Sequence, residues 1–238
     1  NLFSKMNKVQ FIFLLIISFN FNLAFCQTNE RLEDEIHIYW QPNIKLNTND
    51  FEFDGTKEKN AELYCEKIKL CMCASTNINI IIDSPINKKK RNKQREKIYI
   101  VPVFDKIKSY ALTKDTLGLN QQKIVFDIEE WAARYARKQF KITREQFKDK
   151  QGLLITWHKV IFNETQNKKE KLIYEFTLDI YLEPKANAYN DWRTKVDKML
   201  DDLKEYATTK EECDRFIRKK VIEEGYEETI FLGCENHK

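Results

Sequence analysis

The segment from roughly residue 119 to residue 140 constrains this chain more than any other. Its apolar residues Ile124, Ile128, Trp131 and Tyr135 recur at intervals of three and four, which lines them up along one face of an α-helix. A helix of that length needs a surface against which to bury its stripe, and the segments before it supply one. Glu35 to Trp40 alternates as a strand does, Asn77 to Ile82 is a β-branched apolar run, and Lys97 to Phe104 is a further strand punctuated by Pro102. Beyond the helix, Gly152 to Phe162 and Lys171 to Leu182 read as two long strands. The second places Tyr174, Phe176, Leu178, Ile180 and Leu182 on one face and Glu175, Thr177 and Asp179 on the other. Asn163 to Lys168 is polar and turn-forming, so the two strands are expected to make a hairpin. After Pro184, a helix over about 188–206 carries a stripe of Trp192, Val196, Met199, Leu200 and Leu203. Another, over about 210–224, is expected to end at Gly225. Strands and helices in separate runs, without βαβ alternation, predict an α+β fold: an antiparallel or mixed sheet packed against the long helix, with further helices towards the C-terminus.

The N-terminal residues read as a secretory signal. Lys5 and Lys8 form a basic start, Phe11 to Phe19 is an apolar run broken only by Ser18, and Ala24-Phe25-Cys26 offers a cleavage site before Gln27. The apolar run is too short to span a bilayer well, so no integral membrane segment is expected after cleavage. Lipid attachment at Cys26 is disfavoured because the bulky Phe25 precedes it. The expected organisation is a signal peptide over 1–26 and a single domain over 27–238, exported to the periplasm or beyond. Losing Lys5 and Lys8 from a chain of 41 basic and 37 acidic residues leaves its charges nearly balanced. No global field for nucleic acid remains. The basic residues are concentrated between 87 and 97, where seven of eleven are Lys or Arg, and this stretch reads as a solvated, mobile loop between strands. No aromatic side chain is interleaved there, which argues against a nucleic-acid platform and leaves an anionic glycan as the functional alternative.

Cleavage would leave five cysteines, Cys65, Cys71, Cys73, Cys213 and Cys234, in a compartment that permits disulfides. A Cys213–Cys234 bridge would tie down the C-terminal tail. Cys71 and Cys73 would share a face of a strand and read equally as small buried apolar residues.

The chain resembles a bacterial exported family of zinc-dependent proteases, still classed as a domain of unknown function. Three blocks carry the resemblance. Ile38-Tyr39-Trp40, followed by Leu46, Asp50-Phe51 and Gly55, is similar to the family's opening. The long helix keeps Phe126, Asp127, Ile128, Glu130, Ala133 and Arg134 of the segment that follows a His-Glu-x-x-His motif. Tyr181 through Leu200 resembles a segment that leads into a helix with an early tryptophan, here Trp192. The resemblance implies a zincin-like α+β fold. The positions of the motif itself are Gln121, Gln122 and Val125, and Ala186 to Tyr189 lacks the downstream histidine. A catalytic zinc needs about three protein ligands and an open position for water, and a base to take that water's proton. Glutamine binds zinc poorly, valine not at all, and an amide does not titrate near neutral pH. Asp127, Glu130 and Arg134 are therefore expected as retained scaffold, with Lys123–Asp127 and Glu130–Arg134 pairing along the helix surface.

Other chemistries find little footing. The histidines are His37, His158 and His237, and no spacing groups them with a cysteine or carboxylate. Neither a Gly-x-Ser-x-Gly elbow nor a phosphate-cradling glycine loop is present. The sequence thus predicts a pseudopeptidase with no catalytic residue, metal or cofactor. It would serve as a binding or scaffold module, its old cleft holding an extended peptide or an envelope protein. The alternatives are an active zinc-dependent peptidase with an unrecognised ligand set, built on His37, His158 and a carboxylate, and a structural envelope protein that contacts anionic glycans through residues 88–97.

Overall fold

The computed structural model describes residues 31–43, 45–53, 60–90 and 93–233. The expected signal segment, Gly55, Cys234 and His237 lie outside the described residues. The fold is α+β. A four-stranded antiparallel sheet has the order β1 (His37–Tyr39), β4 (Lys97–Asp105), β3 (Thr76–Pro85) and β6 (Tyr226–Leu232). A short antiparallel pair joins β2 (Met72–Cys73) to β5 (Tyr110–Ala111). The helices are α1 (Ala61–Ile68), α2 (Thr116–Gln146), α3 (Leu153–Thr177), α4 (Ala188–Asp201) and α5 (Lys210–Ile217). Among the described residues no helix is long and apolar enough to cross a membrane.

β3 reads as a continuous apolar run because both of its faces are covered. Ile78, Ile80 and Ile82 pack with Ile100 against Ala132, Ala133 and Ala136 of α2. Those three alanines put no bulk between the helix and the sheet. On the opposite face, Ile81, Tyr99 and Val101 pack against Cys213 and Phe216 of α5. The other side of α2 is covered too: Ile124 and Ile128 meet Phe176, Tyr181, Trp192 and Val196 from α3, α4 and the turn between them. α2 is therefore a central helix with more than one buried face. The apolar stripe read from the sequence is right at Ile124 and Ile128, which are fully buried. Trp131 and Tyr135 are only half-buried; they stack on each other at 5.8 Å, and Trp131 lies against the edge of the core.

The expected hairpin over 152–182 does not form. Residues 153–177 are a single helix, continued by a π-helical turn at Leu178–Leu182. The buried positions explain why: Leu154, His158, Ile161, Thr165, Lys169 and Phe176 follow a helical period straight through the polar stretch taken for a turn. Of the residues assigned to one strand face, Phe176 is buried while Tyr174 and Leu182 are exposed. Gly152, with a left-handed φ of 75°, starts the helix, and Pro184 follows its end.

Two further expectations change. α5 stops at Ile217, and Gly225 instead makes the left-handed turn (φ 86°) into β6, a strand not assigned from the sequence. Cys213 is a buried thiol on α5, pushed up to about 12 by burial and by the neighbouring Glu212 charge. Among the described residues a disulfide joins Cys65, in α1, to Cys71 just before β2. The basic stretch lies between β3 and β4 as expected, with Lys89 and Lys90 exposed, and includes a 3-10 turn at Lys88–Lys90, where the Asn87 side chain accepts from the Lys89 N–H at 3.0 Å.

Candidate functional site

α2 carries the three motif positions, Gln121, Gln122 and Val125, and the scaffold residues Asp127, Glu130 and Arg134. Asp115 caps it, accepting from the Gly118 N–H. One turn on, Gln122 is buried and both ends of its amide are engaged. Its Oε1 accepts from the Ala74 N–H at 2.9 Å and its Nε2 donates to the Tyr181 hydroxyl at 3.1 Å. That hydroxyl donates in turn to Gln121 Oε1 at 3.0 Å. Gln121 and Gln122 are thus brought together by Tyr181, a residue of the π-helical turn, and burial pushes the Tyr181 phenol well above its usual range. Val125 is not part of this group. It packs against the cluster around Ile124 and lines a separate cavity.

The scaffold residues are buried deeper than helix-surface pairing would place them. Glu130 and Arg134 do pair, Nε to Oε1 at 2.7 Å, but both are buried. Glu130 also accepts from the Thr208 N–H at 3.0 Å and from the Thr208 hydroxyl. Burial pushes its carboxyl up, against the opposing charges of Arg137 and Arg134. Arg134 donates to the Leu200 carbonyl and lies 5.3 Å over the Trp40 ring. Asp127 does not bond Lys123. It accepts from Trp40 Nε1 at 2.8 Å and from Arg193 Nη1 at 2.6 Å, while Lys123 donates to Asn120. Trp40, Asp127, Glu130, Arg134 and Trp192 thus tie α2 to the end of β1, α4 and the segment before α5.

Two cavities flank α2. The first, about 440 Å³, is walled by Trp40, Phe126 and Tyr189, with Lys45, Lys123 and Arg193 as its cations. Burial pushes the Lys123 ammonium down, Lys45 adds repulsion, and Asp127 opposes both. Arg193 spans Asp127 and Asp197, and its buried Nε has no hydrogen-bond partner. The second cavity, about 450 Å³, lies on the α3 side and is lined by Thr76, Val125, Glu129, Lys169, Glu170 and Tyr174. Lys45, Glu129, Lys169, Tyr189 and Arg193 all escaped the sequence reading. Lys169 could have been found only through the helical period of α3. Glu129 carried no signal beyond its place one turn after Val125.

The histidines do not converge. His37 sits buried in β1, 3.6 Å from Asp34, whereas His158 sits buried on α3 with its Nδ1 2.6 Å from the Ile155 carbonyl. Among the described residues no three His, Cys, Asp or Glu side chains are placed to hold a metal ion. Comparison of the chain with family models, with curated proteins and with solved structures finds no match.

Proposed function

We propose that the chain is an exported, zincin-like pseudopeptidase that works as a binding module. In this reading the cleft between α2 and α4 takes an extended peptide bearing acidic side chains. The observation that carries the reading is the first cavity, where Lys45 and Lys123 stand beside the aromatic walls of Trp40 and Tyr189. Lys123 carries its charge at a cost, from burial and from Lys45, and a carboxylate from a ligand would relieve both. Arg193 adds a buried Nε with no partner. The carboxylates nearby do not fill this role, since Asp127 is already held by Trp40 and Arg193. The retained scaffold supports a module of this kind, because each of its buried contacts fixes a wall of the cleft. Gln121 and Gln122 contribute to it indirectly: their amides hold Tyr181 and the residue just after β2 instead of facing a ligand.

The test is titration of fluorescent glutamate-rich and lysine-rich peptides into the purified protein. Saturable, salt-sensitive binding of the acidic peptide alone is expected, weakened about tenfold in Lys123→Ala, as for loss of one charge-assisted hydrogen bond. Equal binding of both peptides would end this reading. Elemental analysis separates it from the peptidase alternative. About one zinc per chain, removed by a chelator together with peptide hydrolysis, would establish the enzyme instead.

A further inference from the structure

The second cavity has a different chemistry and does not depend on the reading of the first. Glu129 lies on α2, one turn beyond Val125, and is 2% exposed. Its Oε1 accepts from the Thr76 hydroxyl at 3.1 Å and lies 3.3 Å from Lys169 Nζ. Its Oε2 is equally buried and has no hydrogen-bond partner. A carboxylate offers about four lone-pair sites, and a buried one normally has them matched. Here one oxygen is provided for and the other is left over, on a side chain that lines an open cavity.

The rest of the cavity says which donor would complete it. Its charged side chains are Glu129, Lys169 and the exposed Glu170, so one negative charge is in excess. Among the described residues Glu170 makes no ion pair. The apolar part of the wall is Val125, Ile173 and the ring of Tyr174, which is 62% exposed although it lines the cavity. A cationic group on an aliphatic stem suits both halves of this lining. A guanidinium suits it better than an ammonium: it is less strongly hydrated, presents a planar fork of donors, and stacks on an aromatic face.

We infer that this cavity is a recognition pocket for an arginine side chain of a partner peptide, with Glu129 Oε2 and Glu170 accepting from the guanidinium and Val125, Ile173 and Tyr174 covering its stem. Lys169 holds the other oxygen of Glu129 and so keeps the carboxylate turned in a fixed direction. Lysine fits less well, because a point charge gains nothing from the ring.

The experiment titrates the full chain with the capped tripeptide Ala-Arg-Ala, with its citrulline counterpart and with Ala-Lys-Ala, by ligand-observed NMR. Arginine is expected to bind saturably, lysine more weakly, and citrulline, which has the same shape but no charge, at least about tenfold more weakly. Glu129→Gln is expected to cost about tenfold in arginine affinity, and the exposed Glu170→Gln about threefold. Equal binding of arginine and citrulline overturns the proposal, as does no binding at all. If Glu129→Gln fails to fold, Glu170→Gln decides, and an unchanged affinity overturns it. Because the first cleft is tested with acidic peptides and this one with a basic peptide, either reading can fail alone.

Discussion

Glu129 and Glu130 are neighbours in the chain and opposites in the structure. Both are buried on α2, and burial pushes both carboxyls up. Glu130 points towards α4 and the segment before α5, where Arg134, the Thr208 N–H and the Thr208 hydroxyl surround it. Glu129 points towards β3 and α3, where Thr76 and Lys169 reach one of its oxygens and nothing reaches the other. Burial alone therefore does not sort the two. What separates them is whether the hydrogen-bonding capacity is used up. A saturated carboxylate is a fastening, and changing it should cost stability. An unsaturated one beside a cavity has capacity left for a ligand, and changing it should cost the fold little.

The comparison can be broken most directly at Glu130. Glu130→Ala leaves Arg134 buried without its partner, and is expected to lower the unfolding free energy by about 3–5 kcal/mol in urea denaturation. A loss under about 1 kcal/mol would mean that this carboxylate is not the fastening its surroundings suggest. Lys169→Met comes next. It strips Glu129 of its counter-charge, and should cost about 2–3 kcal/mol near neutral pH. Much of that loss should return on acidification, because a protonated Glu129 no longer needs the ammonium. A cost independent of pH would show that Lys169 acts through packing alone.

The smallest effect is expected at Glu129 itself. Glu129→Gln should change stability by no more than about 1 kcal/mol at neutral pH, since it removes one buried charge and one ion pair together. Its signature is the pH profile. A carboxyl whose folded pKa is raised binds its proton more tightly in the folded state than in the unfolded chain. Its contribution is then fully present below the ordinary glutamate value near 4.5, and is lost as pH rises from there through the folded pKa. The wild type should carry this downward slope, and Glu129→Gln should flatten that part of it. Identical profiles would place Glu129 among ordinary glutamates.

Much of this arrangement could be read from the residues alone, and the failures have physical causes. Asn77 to Ile82 and Lys97 to Phe104 were legible as strands because they are short and rich in β-branched residues, which favour a strand over a helix. α2 was legible from its spacing, although its burial on several sides was not: alanines at 132, 133 and 136 look neutral in sequence and turn out to be the sheet contact. The segment 171–182 failed because alternation and helical spacing coincide over so few residues. Only the buried Thr165 and Lys169, hidden among polar neighbours, show which period holds. Of the site, Gln121, Gln122 and Val125 were legible as positions, and their partners were not. Tyr181 reaches both glutamines across about sixty residues of chain, through a π-helical turn that no local pattern announces.

The place of β6 has a consequence for how the molecule assembles in time. It lies beside β3 in the sheet, with Ile81 opposite Phe231, yet β4, β5 and the helices α2 to α5 come between the two in the chain. The buried Arg215 of α5 grips Asp83 of β3 with two bonds of 2.8 Å and reaches Glu228 of β6 with a third. Closing so long a loop is entropically slow, and its reward arrives only once both ends are in register. Completion of the sheet therefore waits on β6, which follows four helices after β3. Until then the outer edge of β3, with Ile80 to Ile82 at its centre, has no strand beside it, and a nascent or truncated chain would carry that edge open to pairing with another copy.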